Sequence, residues 1–282
     1  MIIYFNGQFM LKNEVKVSPD DRGFLFADGA YEVIRAYHGN LFKIDRHIER
    51  MARSLRELRI KGPEHEIFKD VAEQLIQNND LLDGEALVYL QVTRGAAPRR
   101  HAFPGSDTPP TVYAYASPFQ PFPEKLTHGV RIILVPDIRW TRCDIKSVSL
   151  LPNVLAHQQA KENGVDEAIF IRDGAITEGT HTNFGAVFDG QLITYPKSHY
   201  ILAGITREVV LNLCRELNIP IKEFPILVDD LKKADEAMLL STTSEVTPVV
   251  QVDDWPVGNG KPGPITTTLQ RAFRKLTGIP EK

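Results

Sequence analysis

Lys146 and Glu178 are the two residues of this chain whose types best suit the chemistry of a covalently held aldehyde. A lysine amine attacks an aldehyde only when it is unprotonated, so burial or nearby positive charge must lower its pKa. Arg139 and Arg142 precede Lys146 closely and are candidates for that charge. A carboxylate such as that of Glu178 can hydrogen-bond a protonated ring nitrogen, which lets the ring withdraw electrons from a carbanion. Residue types alone favour a solvated surface lysine, since lysines are rarely buried.

Short regular elements must position these two side chains. Lys146 ends an extended polar segment, and a helix is predicted from Pro152 to Asn163. The strand EAIFIR comes next, followed by an Asp-Gly turn at 173–174 of the kind that joins hairpin strands. Glu178 is therefore expected near the end of a strand that is adjacent to EAIFIR.

Two hydroxyl-rich turns are candidates for binding an anion. The sequence AGITR precedes a predicted helix, and the N-terminus of a helix attracts phosphate. Gly204 lets the backbone approach the ligand closely there, and Thr206 offers a hydroxyl. A second hydroxyl-rich turn, STTSEV, lies around Ser241 to Thr243. Each turn alone is also typical of an ordinary helix cap or local turn, but together they favour one anion.

The loop PRRHAFP is a candidate for binding a carboxylate. It contains Arg99, Arg100 and His101. An arginine and a histidine two residues apart suit a carboxylate if both side chains face the same cavity. Composition alone favours a solvated basic loop, because charged loop residues are mostly exposed.

The composition excludes several classes of protein. A chain of 282 residues with 43% hydrophobic residues is predicted to form two globular domains with sizeable cores. A net charge of −3 with interspersed signs does not favour nucleic acid, and no apolar run is long enough for a membrane helix. Cys143 and Cys214 have neither disulfide nor metal-type spacing, so we expect a reducing cytoplasm and no metal. Cys143 is expected to be a small packing residue.

The N-terminal part alternates predicted strands and helices. It begins with a hairpin, MIIYFNGQFM, and Asp45 is the predicted N-cap of the helix DRHIERMARSLRELRI. The apolar residues of that helix form one stripe: Ile44, Ile48, Met51, Leu55 and Leu58. A second helix is predicted from about His65 to Leu81, followed by the strands EALVYLQVTRG and TVYAYAS.

The proline-rich segment SPFQPFPEK is the predicted domain boundary. We place an N-terminal α/β domain at 1–117, a linker at 118–124 and a C-terminal domain at 125–282. The second domain is predicted to contain a buried strand, a hairpin with an Asp-Gly turn, an amphipathic helix after Gly204, two further strands and a closing helix. This mixture without strict alternation predicts an α/β or α+β fold.

The central motif resembles a known family. The run CDIKSVSLLPNVLAHQQAKENGVDEAIFI, then DGAITEGTHTNFGAVF, is similar to the signature of the class IV (fold-type IV) pyridoxal-phosphate aminotransferases. The resemblance covers nearly the whole chain. It implies pyridoxal 5'-phosphate as the cofactor, a smaller N-terminal α/β domain, and a larger C-terminal mixed domain with a barrel-like sheet. It also implies that Lys146 is the catalytic Schiff-base lysine and that Glu178 binds the pyridine nitrogen.

The resemblance assigns further residues to the site. Those implied to bind the cofactor, besides Lys146 and Glu178, are Arg50, Ile205, Thr206 and Thr242 at the phosphate, and Leu202 at the ring. Those implied to bind substrate are Tyr31, Arg99, His101 and Arg139. In D-amino-acid transaminases the loop that carries the Arg-x-His pair belongs to the neighbouring subunit, which implies a homodimer.

The predicted function is the transfer of an amino group from a D-amino acid, with D-alanine expected, to a 2-oxo acid such as 2-oxoglutarate. The mechanism is expected to be ping-pong, with Lys146 as the proton shuttle. Three alternatives stay open: a branched-chain L-amino-acid aminotransferase, aminodeoxychorismate lyase, and a non-catalytic pyridoxal-phosphate carrier or regulator. Arg100 competes with Arg99 for the carboxylate. His181 and Thr182 depart from the family pattern in a loop that is often rich in serine.

Overall fold

A computed structural model describes residues 1–278 of the chain. The chain forms two compact units, which do not follow the chain order. The first unit contains Met1–Gln120 and the short segment Ile145–Leu150, and the second contains Pro121–Asp144 and the chain from Leu151 onward. Lys146 therefore belongs to the first unit. The domain boundaries predicted around 118–124 stay a prediction.

The first unit is a six-stranded antiparallel sheet with helices. Its elements are β1 (Ile2–Phe5), β2 (Gln8–Leu11), α1 (Arg22–Phe26), β3 (Gly29–Tyr37), β4 (Asn40–Leu41), α2 (Ile44–Glu57), α3 (Ile67–Asn78), β5 (Glu85–Thr93) and β6 (Thr111–Pro118). The strand order is β2-β1-β6-β5-β3-β4. Burial alternates along β5 and β6, as the period-two pattern of these strands predicts. The buried side chains of these strands form one core with the apolar stripes of α2 and α3.

The start of α2 differs from the prediction. Asp45 is not the N-cap, because the helix begins at Ile44, two residues before the start that an N-cap at Asp45 would give, and Ile44 is buried. Lys43 takes the N-cap position in a left-handed backbone conformation and makes no side-chain cap hydrogen bond. Asp45 lies in the first turn instead, where a negative charge still complements the helix dipole.

The second unit combines helices with a larger mixed sheet. Its elements are α4 (Pro123–His128), β7 (Val130–Pro136), α5 (Leu151–Glu162), β8 (Glu167–Arg172), β9 (Ala175–Gly179), β10 (Asn183–Phe188), β11 (Gln191–Thr194), α6 (Ile205–Glu216), β12 (Ile221–Glu223), β13 (Ile226–Leu227), α7 (Val228–Leu231), β14 (Glu236–Ser241), β15 (Glu245–Val252), β16 (Trp255–Pro256) and α8 (Pro264–Thr277). Together the units confirm the predicted mixed α/β class.

Six strands of the second unit close on themselves. They follow the order β10-β14-β15-β7-β8-β9, and β9 pairs again with β10 through Glu178 and Asn183. β7 runs parallel to both β8 and β15, whereas the other neighbours in this ring are antiparallel. This closure confirms the barrel-like sheet expected of the C-terminal part, and it occurs at Glu178.

Tight turns set the strand register on both sides of this closure. The turn between β8 and β9 has positive φ at Asp173 (51°) and Gly174 (77°), and the turn between β10 and β11 repeats this at Asp189 and Gly190. Positive φ at both central residues defines the type I′ turn that Asp-Gly favours. The two predicted Asp-Gly turns are confirmed, and they place Glu178 on the strand that the sequence predicts.

Both cysteines, Cys143 and Cys214, are free and buried. Burial raises the pKa of each thiol to about 11, so neither is a thiolate at neutral pH. This confirms the prediction that Cys143 packs as a small apolar residue. The cytoplasmic location inferred from cysteine usage stays a prediction. In the part of the chain that the structure describes, no helix has both the length and the apolar character for crossing a membrane.

A buried glutamate from the barrel caps the last helix. Glu236, the first residue of β14, accepts hydrogen bonds from the backbone N–H groups of Ile265 (2.9 Å) and Thr266 (2.7 Å). It also accepts one from the Thr266 hydroxyl. The first N–H groups of a helix have no partner within the helix, so this carboxylate satisfies two donors and fixes where α8 begins.

We expect Glu236→Ala to lower the free energy of unfolding by about 2 kcal/mol, because it leaves these donors without their acceptor. Urea unfolding followed by circular dichroism measures the change. Glu216→Ala, on the exposed end of α6, is the matched control and should stay within about 0.5 kcal/mol of the parent. Equal effects of the two substitutions would contradict the capping role.

Candidate active site

In the first unit, the segment that carries Lys146 is held along β3 by its backbone. The Tyr31 N–H donates to the Lys146 carbonyl (3.1 Å), and the Val148 N–H donates to the Gly29 carbonyl (3.0 Å). The Lys146 N–H donates to the hydroxyl of Ser54 on α2 (3.2 Å). The Lys146 backbone is therefore fixed on both sides of its Cα, while its half-buried side chain extends over the Tyr31 ring, 4.3 Å from the ring centroid.

A buried charge cluster lies on the neighbouring part of α2 and β3. Glu32 is fully buried and accepts two hydrogen bonds from Arg50, at 2.7 and 2.8 Å, and one from His47 at 2.8 Å. Burial alone would raise the pKa of Glu32, but the Arg50 charge and these hydrogen bonds lower it to about 2. Burial lowers the pKa of His47, so its neutral ring donates from Nδ1 to the Glu32 carboxylate. The cluster fixes the orientation of the Arg50 guanidinium.

Tyr31 begins a row of stacked tyrosines on one face of the six-stranded sheet. The hydrophobic core of the first unit lies on the opposite face. The Tyr31 ring centroid lies 5.8 Å from that of Tyr89, which lies 5.3 Å from that of Tyr115. Burial raises the pKa of Tyr89 above its ordinary value, and its hydroxyl donates to Gln91. The Tyr31 ring is therefore supported by packing, which suits a residue that must present a side chain at a constant position.

The loop PRRHAFP also lies in the first unit, and Phe26 of α1 orients two of its side chains. The Arg99 guanidinium lies 5.1 Å from the Phe26 ring centroid, and the His101 ring lies 5.6 Å from it. Arg100 contributes its backbone carbonyl, which accepts a hydrogen bond of 2.6 Å from Arg22. All three loop side chains are exposed. The Phe26 ring thus lies beside both the arginine and the histidine of the predicted pair.

In the second unit, Glu178 is held from three directions where the barrel closes. Its Oε1 accepts from Arg139 Nη1 (2.6 Å), and its Oε2 accepts from Asn183 Nδ2 and from the Leu202 N–H, both at 3.0 Å. Asn183 also donates to the Leu202 carbonyl (2.9 Å). Two strands and two loops therefore determine the position of this one buried carboxylate.

The guanidinium of Arg139 makes several hydrogen bonds within the second unit. Besides Glu178, it donates to both carboxylate oxygens of Asp137 at 2.9 Å and to the Tyr200 carbonyl. Arg172 also donates to Asp137. These contacts favour a positioning role for Arg139 over the substrate contact that the resemblance implies. Arg142, the other candidate source of positive charge, forms an ion pair with Asp144 at 2.9 Å.

The burial of Glu178 has a clear electrostatic consequence. Burial raises its pKa to about 7, although the Arg139 charge and the Leu202 N–H act in the opposite direction. The carboxyl group therefore gains or loses its proton near neutral pH, and a positive group beside it would favour the ionised form. A protonated ring nitrogen is one such group.

The predicted anion site at α6 has a glycine at a position where a side chain would collide with Asn183. Helix α6 begins at Ile205, and Gly204 is its N-cap. A Cβ at Gly204 would overlap the side-chain amide oxygen of Asn183. Because the first intrahelical bond runs from the Glu208 N–H to the Gly204 carbonyl, the N–H groups of Ile205 and of the buried Thr206 have no acceptor within the helix.

Thr242 of the second hydroxyl-rich turn lies between β14 and β15. The turn residues are half-buried, and the Ser241 hydroxyl accepts a hydrogen bond from the Ser244 N–H at 3.1 Å. This hydrogen bond within the turn therefore holds the segment that contains Thr242 in place.

Sequence reasoning missed several residues that hold these groups. Glu32 and His47 belong to no motif. Two signals for them were available, namely a charged residue at a buried strand position and the His-x-x-Arg spacing that places both side chains on one helix face. Asn183 and Asp137 follow from the three-dimensional structure alone, because their roles depend on where the barrel closes.

Comparisons with known proteins agree with this geometry. The Amino-transferase class IV family model matches residues 29–252. The D-alanine aminotransferase of Staphylococcus haemolyticus is 44% identical over 274 residues, which cover 97% of this chain and 96% of the relative. That of Bacillus licheniformis is 43% identical over 275 residues, with the same coverage of each chain. Among solved structures, the branched-chain amino acid aminotransferase of Escherichia coli has a TM-score of 0.91 at 26% identity, covering 100% of this chain and 96% of that one.

The raised pKa of Glu178 predicts how pH affects the cofactor-free protein. An acid whose pKa is higher in the folded state stabilises the fold fully below its unfolded pKa, near 4.5, and loses this contribution as pH rises through about 7. Relative to Glu178→Gln, which does not titrate, the parent should lose on the order of 3 kcal/mol between these two values. Urea unfolding at a series of pH values measures the difference. Parallel pH profiles for the two proteins would contradict the assignment.

Proposed function

The chain belongs to the class IV aminotransferase family, and we propose that it transfers the amino group of a D-amino acid to a 2-oxo acid. D-Alanine is the expected donor and 2-oxoglutarate the expected acceptor, in two half-reactions of a ping-pong mechanism. The observation that carries the proposal is the Arg-x-His pair whose side chains share the Phe26 ring. The likeness to D-alanine aminotransferases over 97% of the chain supports it.

Aminotransferases of this family use pyridoxal 5'-phosphate, and the donor set of the second unit fits parts of that group. A buried carboxylate with a pKa of about 7 suits a ring nitrogen that carries a proton, and Glu178 is the proposed partner of that nitrogen. Leu202, whose N–H is tied to Glu178, is the proposed packing partner of the ring. When bound, the cofactor supplies an aldehyde that condenses with amines and a ring that withdraws electrons.

The proposed phosphate partners are the residues with donors suited to an oxyanion. Gly204 is the N-cap of α6, and the N–H groups of Ile205 and Thr206 in the first turn have no acceptor within the helix, so they can bind such a ligand. The helix dipole favours negative charge there. Thr242 adds a hydroxyl. Arg50 is the proposed cationic partner, and Glu32 fixes its orientation through two hydrogen bonds.

Lys146 is the proposed covalent anchor and proton carrier. Its backbone is fixed by the N–H of Tyr31 and the hydroxyl of Ser54, so the amine moves only by side-chain rotation. With the cofactor bound, Lys146 Nζ would accept the proton from the substrate α-carbon and would donate it to the former aldehyde carbon in the same half-reaction, and the second half-reaction would run these two transfers in reverse. Holding the base within a fixed reach makes this transfer effectively intramolecular.

The proposed carboxylate site consists of Arg99, His101 and Tyr31. We favour Arg99 over Arg100, because Arg99 shares the Phe26 ring with His101, whereas Arg100 contributes a carbonyl to Arg22. By resemblance, the loop serves the site of a second subunit, so we propose a homodimer. The exposure of the three loop side chains in a single chain is compatible with that arrangement.

A branched-chain L-amino-acid aminotransferase is the second candidate. The observation in its favour is the likeness to the E. coli enzyme of that name over the whole chain. Turnover of D-alanine and of L-leucine, each with 2-oxoglutarate, distinguishes the two. A chain that uses L-leucine and not D-alanine would replace the first proposal with the second.

We expect Lys146→Ala to abolish the visible absorption of the covalently attached cofactor and to lower aminotransferase turnover by at least about a thousandfold, because the general base is lost. Spectroscopy and a coupled pyruvate assay measure the two effects. Lys161→Ala, on the surface of α5, is the control and should retain both properties. Parental turnover in Lys146→Ala would contradict its assigned role.

We expect Arg99→Ala to lower kcat/KM for D-alanine about 100-fold, because a charge-assisted hydrogen bond to the carboxylate is lost, while the cofactor stays bound. The neighbouring substitution Arg100→Ala is the matched control, and its kcat/KM should stay within about threefold of the parent. Steady-state kinetics with D-alanine decide between the two arginines. The larger effect in Arg100→Ala would exchange their roles.

A further inference from the structure

Two histidines and a glutamate of the second unit form a cluster that the aminotransferase chemistry does not use. His157 lies on α5, Glu167 begins β8, and His181 lies in the turn between β9 and β10. One donor atom from each lies within 4.8 Å of the other two. The residues are far apart in sequence, which is why the spacing rules for metal ligands miss them.

The centre of the cluster is the Glu167 carboxylate, which is 1% exposed. Its Oε1 lies 3.6 Å from His157 Nδ1, and its Oε2 lies 3.0 Å from His181 Nδ1. The Thr180 hydroxyl donates to Oε1 (2.6 Å), and the Ala168 N–H donates to the same oxygen. The carboxylate is thus fixed in orientation, with one oxygen directed to each imidazole.

The two imidazoles complete a donor set that is open to solvent. Both side chains are about half exposed, in contrast to the buried glutamate between them. Their rings cross edge to face, with centroids 5.4 Å apart. The Thr180 hydroxyl oxygen lies 3.0 Å from His181 Nδ1 and 3.5 Å from His157 Nδ1, so it lies beside the same donor atoms.

The distances between donors match those around a small divalent ion. Zinc–nitrogen and zinc–oxygen bonds of roughly 2.0–2.1 Å in tetrahedral geometry separate neighbouring donors by roughly 3.3 Å. His181 Nδ1 lies 3.0 Å from Oε2 and His157 Nδ1 lies 3.6 Å from Oε1, and one donor atom of each residue lies within 4.8 Å of the other two, so rotation of the two exposed imidazoles would complete this spacing. Two imidazoles with one carboxylate form a set that borderline transition metals prefer over Mg²⁺ or Ca²⁺, which take oxygen ligands.

We propose that His157, Glu167 and His181 form a binding site for a divalent transition metal, with Zn²⁺ as the ion they suit best. Three protein ligands leave the fourth tetrahedral position to water. The supporting contacts are those expected around such a site: Thr180 orients the carboxylate, and its carbonyl accepts a hydrogen bond of 2.7 Å from Asn153 of α5. The inference does not depend on the proposed substrate.

The bound ion would connect three elements that meet at the closure of the barrel. The turn at 179–182 joins the end of β9 to the start of β10, and α5 packs on β7 and β8 through Ala156, Ala160 and Phe170. A ligand from the helix, one from β8 and one from the turn would tie these elements together. The expected effect of the ion is therefore stabilisation of the second unit.

Calorimetric titration of the EDTA-treated holoenzyme with ZnCl₂ at about pH 8 tests the site, because metal affinity rises as competing protons are removed. We expect saturable binding of one ion per chain and a rise in Tm. His157→Ala and His181→Ala should each weaken binding by at least about 30-fold and abolish the rise in Tm. His128→Ala, which removes an exposed histidine on α4, is the matched control and should leave both unchanged.

The Tm of each variant in EDTA measures the stability lost when an imidazole is removed from the buried Glu167 carboxylate, and the rise in Tm on adding metal is measured relative to that value. Co²⁺ provides a second readout, since its visible absorption reports on the ligands and is measured as a difference against the same sample with EDTA. The proposal is overturned if the parent shows no saturable binding, or if both cluster variants bind Zn²⁺ as tightly as His128→Ala does.

Discussion

The position of one buried carboxylate depends on the closure of the barrel, and much of the second unit serves to hold it. Glu178 and Asn183 are the two residues through which β9 and β10 pair, and they also hydrogen-bond through their side chains. Burial makes the ionised form of Glu178 costly, and the Arg139 ion pair offsets only part of that cost. Such a carboxylate is suited to a cationic partner beside it, and in the proposed function the partner is the cofactor ring nitrogen.

The first unit, in contrast, holds the flexible amine of Lys146 at a constant position. Lysine has a long side chain with high rotamer freedom, so most of the control must come from its backbone. The segment around Lys146 adds to the edge of β3, and Ser54 of α2 binds its N–H. The buried cluster of Glu32, His47 and Arg50 joins the same two elements and fixes the position of α2 relative to β3. Fold stability and site geometry therefore depend on the same contacts.

Local patterns in the sequence predicted most elements of the fold. The Asp-Gly turns, the alternation along β5 and β6, and the helices after Leu151 and Gly204 all depend on neighbouring residues, so short-range rules identify them. Asp45 was a wrong N-cap because the burial of Ile44, a tertiary effect, moved the start of the helix. Barrel closure was expected from family resemblance alone, since no local pattern specifies the pairing of Glu178 with Asn183.

The candidate site was predictable in its residue types and less so in its supporting contacts. Lys146, Glu178 and the Arg-x-His pair lie in recognisable motifs. Asn183 and Glu32, in contrast, act through partners on other elements, and Asp137 acts through Arg139, whose own contact with Glu178 joins a loop to β9. The same reason hid the cluster around Glu167, whose three members come from a helix, a strand and a turn. The spacing of residues in the sequence indicates which side chains share one helix or strand, whereas these contacts join side chains of different elements.

The most direct test of the account is a single half-reaction followed by visible absorption of the purified holoenzyme. Addition of D-alanine without a 2-oxo acid should convert the coloured aldehyde form of the cofactor to the amine form with release of one pyruvate per site, and 2-oxoglutarate should then restore the colour. L-Alanine should leave the spectrum unchanged over the same time. Conversion by L-alanine at an equal or higher rate, or no conversion by D-alanine, would contradict the account.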